Sequence, residues 1–137
     1  MAPILLKGDL HEDTRGKLCY NNAFDVSEIK KIYYLENNST ALTRGWQGHK
    51  IEQRWFNVVL GSFKIKLIKV DNWENPSKNL EIQEFHLCAE TLDVLHVPKG
   101  YVSSIQALEP GSKLLVFANF VLGEANDEYR FELNYFN

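Results

Sequence analysis

Thr43-Arg44-Gly45-Trp46-Gln47-Gly48-His49-Lys50, with Gln53 close behind and Gly61-Ser62 further on, is the stretch that decides how this chain is read. Side chains along a strand alternate between faces, so Gln47 and His49 point the same way. Gly48 between them has no side chain and lets a neighbouring backbone or a ligand approach closely. A polar amide, a spacer and an imidazole on one inward face, followed by a glycine turn, suit the pocket of a small β-barrel. Arg44 has the opposite parity to His49. A bulge, for which Gly45 is well placed, would turn both toward one pocket.

Outward from the octet the chain reads as short strands broken by turns. Upstream lie an apolar run at Pro3–Leu6, expected as an edge strand, and the turn Asp13-Thr14-Arg15-Gly16. The β-branched and aromatic run Ile29–Leu35 and the polar loop Glu36–Thr40 follow. Downstream, Trp55–Leu60 turns at Gly61-Ser62 into Phe63–Val70, where Phe63-Lys64-Ile65-Lys66-Leu67 alternates apolar and charged residues. Asp71–Asn79 is a loop by composition; Leu80–Leu87, Thr91–Val97 and Ser104–Leu108 are further strands, with Pro98-Lys99-Gly100 and Glu109-Pro110-Gly111-Ser112 as turns. Lys113–Phe120 is apolar on both faces, and Tyr129–Phe136 closes the chain. No helical stripe is sustained over three turns, so the expected class is all-β, a sandwich or barrel.

Length and composition bound the function. The chain has 137 residues, 45% of them hydrophobic and 24% charged, which suits one soluble domain spanning 1–137. A net charge of −3 lacks the basic face that nucleic acid demands. No apolar run approaches a membrane span, and Met1–Lys7 lacks the basic start and long apolar core of a signal peptide. The expected location is the cytoplasm, with Cys19 and Cys88 as free thiols. The acidic run Glu124–Glu128 reads as solvated surface.

Several pieces together resemble the WxcM-like family of cupins, the nucleotide-linked keto-sugar 3,4-ketoisomerases. They are Asp13-Thr14-Arg15-Gly16, Ile32-Tyr33-Tyr34-Leu35, Arg44-Gly45-Trp46-Gln47-Gly48-His49-Lys50 and Leu60-Gly61-Ser62, with looser agreement at Leu95-His96-Val97-Pro98 and Asp127-Glu128-Tyr129-Arg130. The resemblance implies a single jelly-roll-like cupin barrel. It also implies a homodimer, in keeping with the two apolar faces of Lys113–Phe120. The implied activity is isomerisation or epimerisation of a thymidine-diphosphate 4-keto-6-deoxyhexose by acid/base proton transfer, in deoxysugar and polysaccharide synthesis.

One position departs from the family pattern: its first His-x-His histidine is Gln47 here. An amide can hold a hydroxyl or polarise a ketone but cannot carry protons. His49 is therefore the candidate base. Tyr33 and Tyr34 are catalytic candidates of which only one can face the pocket. Gln47, Arg44, Arg15 and Lys50 are substrate-binding candidates, the arginines because a guanidinium forks onto phosphate oxygens. Gln47, Gln53 and Ser103 stand where a metal cupin places ligands, so no metal and no cofactor is expected. The alternative is a cupin that binds a nucleotide sugar without turning it over, its proton relay lost through Gln47.

Overall fold

The alternation Phe63-Lys64-Ile65-Lys66-Leu67 forms the body of a strand whose three apolar side chains are fully buried, while the lysines stay part-exposed on the other face. The same two-residue rhythm organises the rest of the protein. The computed structural model describes residues 1–119 and 127–136. Within them the strands are β1 (Ile4–Leu6), β2 (Asp9–Asp13), β3 (Gly16–Tyr20), β4 (Lys31–Leu35), β5 (Thr43–His49), β6 (Arg54–Leu60), β7 (Ser62–Lys69), β8 (Gln83–Cys88), β9 (Val94–Val97), β10 (Tyr101–Ala107), β11 (Lys113–Ala118) and β12 (Glu128–Arg130). A single 3₁₀ turn, Val26–Glu28, is capped by the Asp25 side chain accepting from the Ser27 amide.

Two five-stranded sheets face each other, in the orders β1-β9-β6-β11-β4 and β12-β5-β10-β7-β8, and β2-β3 stands apart as a hairpin. Every pairing within them is antiparallel. The inward side chains of both sheets, among them Phe56, Phe63, Ile65, Leu67, Leu114 and Val116, make the main core. A second cluster lies on the outer face of the second sheet, where the C-terminal tail lays Phe136 over Trp46, Ile68 and Val102. The edge strand expected at Pro3–Leu6 is β1, paired to β9.

Some boundaries differ from the sequence reading. The strand after Gly100 begins at Tyr101 rather than Ser104, because pairing with both β5 and β7 holds its backbone extended from the turn onward. The closing segment is a strand only over Glu128–Arg130; Phe131–Phe136 packs by its aromatic side chains instead. Phe120 and most of the acidic run Glu124–Glu128 lie outside the described residues. No helix among the described residues is long and apolar enough to cross a membrane.

The β5–β10 seam fixes the position of the octet. Ser103 pairs with Gln47 and Ile105 with Arg44, so two steps on β10 span three on β5. That bulge falls at Gly45, whose φ of +141° is a conformation only glycine adopts readily. It brings Arg44 round to the face that carries Gln47. The close neighbour of Gly48 is protein: a Cβ there would overlap the Tyr101 carbonyl and Val102. Gly48→Ala is therefore expected to cost about 3 kcal/mol by forcing β5 off β10, read as a lowered denaturant midpoint at unchanged slope. A loss below about 1 kcal/mol would show that the seam can open without penalty.

Candidate active site

Between the sheets, open to one end, lies a cavity of about 240 Å³ lined by Tyr33, Leu35, Arg44, Gln47, Arg54, Ser103, Ile105 and Arg130 among others. A smaller hollow of about 10 Å³, room for about one water, adjoins it and is lined by His49 and Glu52. Gln47, Arg54 and Ser103 belong to both. Strand parity explains the set: Gln47 and His49 alternate inward from β5, Tyr33 and Leu35 from β4, and Ser103 from β10.

His49 is 9% exposed and stands between two carboxylates. Its Nδ1 is 3.6 Å from Asp127 Oδ2, and its Nε2 is 3.3 Å from Glu52 Oε2. The Nε2 contact is not aligned as a hydrogen bond, so that buried nitrogen has no partner among the described residues. Asp127 is itself anchored, accepting from the backbone amides of Lys50, Ile51 and Glu52 at 2.8–3.1 Å. Glu52 accepts from Arg54 Nε at 2.7 Å, and Lys31 Nζ lies 3.6 Å from its other oxygen. Burial holds the His49 imidazole below the ordinary histidine range and the Arg54 charge adds to this, while Glu52, Asp127 and Glu128 oppose it. The ring is thus neutral at pH 7 and able to accept a proton.

The remaining groups range from buried to exposed, with the Arg130 side chain largely open to solvent. Burial pushes the Tyr33 phenol up, so it stays a protonated donor. The Gln47 amide donates to Glu128, whose other partner is Arg130, 2.7 Å away. Arg44 Nε donates to Asn37 Oδ1 at 3.0 Å, and the buried Asn37 amide in turn donates to the Leu42 and Ile105 carbonyls. Three guanidinium groups, each held through Nε, therefore border one cavity.

Of the residues singled out in the sequence, the structure brings together His49, Gln47, Arg44 and Tyr33. It leaves three elsewhere. Tyr34, the outward member of the tyrosine pair, is 63% exposed and lies under Lys113. Lys50 follows His49 in the turn after β5 and sits over the Tyr129 ring. Arg15 caps the β2–β3 turn, paired to Asp13 at 2.7 Å beside a separate open hollow of about 300 Å³. Glu52, Arg54, Asp127, Arg130 and Asn37 were not foreseen. Asp127 reverses the solvated reading of the acidic run, because β12 pairs with β5 and the carboxylate is buried beside His49, whereas Glu128 stays exposed while accepting from Gln47. Among the described residues no group of three or more His, Cys, Asp or Glu could hold a metal ion.

Two antiparallel sheets enclosing a polar end-cavity between inward strand faces define a cupin-type fold. The family described as FdtA, WxcM-like, C-terminal, matches residues 4–136, and the chain belongs to that family. A 3,4-ketoisomerase from Helicobacter canadensis superposes with a TM-score of 0.74 at 25% identity, covering 96% of this chain and 92% of that one. A histidine-to-asparagine mutant of the 3,4-ketoisomerase QdtA from Thermoanaerobacterium thermosaccharolyticum, in complex with TDP-4-keto-6-deoxyglucose, gives 0.73 at 23% identity, covering 97% and 90%. The RmlC epimerase of Mycobacterium tuberculosis gives 0.76 at 14% identity, covering 95% and 68%, and so shares the fold. No curated protein sequence matches the chain.

Proposed function

We propose that this protein is a sugar-nucleotide isomerase or epimerase acting on a thymidine-diphosphate 4-keto-6-deoxyhexose, with His49 as its base. The observation that carries the reading is the buried, neutral imidazole whose unpartnered Nε2 lies in a hollow continuous with an arginine-bordered cavity. The solved relatives supply the substrate class: one is a 3,4-ketoisomerase and another holds a TDP-keto-sugar. Arg44, with its Nε occupied, offers its terminal nitrogens to the diphosphate.

In the 3,4-isomerisation, His49 takes the proton from C3. The C–H electron pair becomes the C3–C4 double bond, and the C4 carbonyl oxygen takes up the negative charge. Return of that proton from His49 to C4, with passage of the C3 hydroxyl proton to the C4 oxygen, leaves a ketone at C3 and a hydroxyl at C4. Glu52 and Asp127 stabilise the imidazolium formed on the way. Tyr33 donates to a ring oxygen, and Gln47, which cannot transfer protons, holds a hydroxyl or carbonyl in register. Incubation with such a sugar nucleotide in heavy water tests the reading through exchange of the ring proton beside the ketone.

The His49 environment sets the pH profile. Only the neutral ring accepts a proton, and its pKa lies below the ordinary value of about 6.5. The expected kcat/KM is flat from neutrality upward and falls about tenfold per pH unit below that depressed pKa. A rate still climbing between pH 7 and 9 would assign the base to another group.

The non-catalytic alternative has one observation in its favour, the engagement of Gln47 by Glu128 where the family pattern has a histidine. It is distinguished by thermal stabilisation on adding thymidine diphosphate without any exchange.

The protein is further proposed to be a homodimer through the outer face of the first sheet. Register aligns Ile32, Phe117, Trp55, His96 and Ile4 in one row across all five strands. Phe24 covers its middle, while Ile32 at 60% and Ile4 at 49% remain exposed. Light scattering is expected to give twice the chain mass at micromolar concentration and the single-chain mass for Ile32→Glu. A monomeric unmodified protein would contradict this.

A further inference from the structure

We propose that Arg54 is the oxyanion-binding residue of this site, fixed in place by Glu52. The proposal rests on the reading of His49 as base. Deprotonation beside a ketone puts a full negative charge on the carbonyl oxygen, and a site that excludes water must meet that charge with a fixed donor. Three arginines border the cavity, but Arg54 alone among them also lines the hollow at His49. Arg44 is tied to Asn37 at the far side of the bulge, and Arg130 is bonded through both Nε and Nη2 to Glu128.

Arg54 is built for such a task. Its side chain is nearly buried, and Glu52, itself almost fully enclosed, holds it through Nε at 2.7 Å. No hydrogen bond among the described residues engages its Nη groups, which leaves the end of the fork for an incoming oxygen. A buried guanidinium with one edge anchored and the other unspent is preorganised at no cost during reaction.

The charge arrangement around His49 is consistent with this from every side. Glu52 in the turn after β5 and Asp127 ahead of β12 lie against the ring, with Glu128 beyond on β12. Arg54 comes from β6, Tyr101 lies opposite on β10, and Lys31 from β4 reaches Glu52. Proton transfer from substrate to His49 places the new cation near the carboxylates and the new anion near the guanidinium. Arg54 also helps keep the free imidazole neutral.

The test compares Arg54→Gln and Arg54→Lys with the unmodified protein, using a thymidine-diphosphate 4-keto-6-deoxyhexose in heavy water. Arg54→Gln is expected to lower kcat by about a hundredfold with KM within about threefold, the usual loss when one oxyanion donor is removed. Arg54→Lys, which keeps the charge, is expected to recover a large part of it. Should Arg54→Gln fail to fold, the Glu52→Gln/Arg54→Gln pair leaves no buried charge unpartnered and is compared with Glu52→Gln alone. A kcat within threefold of the parent protein overturns the proposal.

The titration of the His49 ring proton by NMR, in protein without ligand, needs no turnover. Removing the Arg54 charge is expected to raise the pKa of that imidazole. An unchanged value overturns the placement of the charge. A parent protein that turns nothing over defeats the assigned activity, and the titration then still decides whether the guanidinium faces the imidazole.

Discussion

His49→Asn is expected to reduce exchange of the sugar ring proton by about a thousandfold, within the range a positioned general base supplies. The replacement is close in size and stays polar, so the hollow bordered by Gln47, Arg54 and Ser103 should keep its shape. Thymidine diphosphate is therefore expected to stabilise the variant and the parent protein alike, because the arginines of the larger cavity are untouched. Loss of exchange with retained binding separates a chemical role from a structural one. A variant retaining a tenth of the parental rate would mean that another group moves the proton.

Asp127→Ala is expected to destabilise the protein strongly although the residue lies outside the main core. The Asp127 carboxylate is 6% exposed and receives three consecutive backbone amides from the turn after His49. Alanine leaves the turn without its acceptor and deprives the imidazole of one of its two flanking charges. Buried donors left unpaired cost about 1–3 kcal/mol each, less where water reaches them. A total near 3 kcal/mol and a fall of roughly 10 °C in Tm follow for a domain of this size. Asp127→Asn should fall between, since its amide offers one accepting oxygen and turns a donor toward another donor. Calorimetry on the three proteins checks the order. Asp127→Ala melting with the parent would show that the turn stands by itself.

The fold was legible because its signals are local. The alternation at Phe63–Leu67, the glycine turn at Gly61 and the punctuation at Pro98–Gly100 each report a strand or a turn within a few residues. The bulge at Gly45 belongs to the same class, since the parity conflict between Arg44 and His49 could be seen in the octet itself. The outward turn of Tyr34 could not, because adjacent strand residues are equivalent until the sheet acquires an inside.

The site was legible only where its residues share a strand. Gln47 and His49 sit two apart, and their common face follows from that spacing. Asp127 and Glu128 lie far along the chain and reach the octet only because β12 pairs with β5. Nothing in a short acidic run distinguishes a solvated patch from a turn-capping carboxylate. Glu52 and Arg54 are close in sequence to His49, yet their burial depends on the turn after β5 folding inward under the Asp127 carboxylate. Departure from the family pattern at Gln47 was the one visible sign that this pocket is furnished differently from those it resembles.

The most direct measurement is proton NMR of the unmodified protein with a thymidine-diphosphate 4-keto-6-deoxyhexose in heavy water, followed over minutes to hours. An imidazole acting as base predicts loss of the C3 proton signal, deuterium entering the ring, and growth of the 3-keto isomer. A sugar that keeps every ring proton, while thymidine diphosphate still raises the melting temperature, would contradict it and leave a protein that holds its ligand without transforming it.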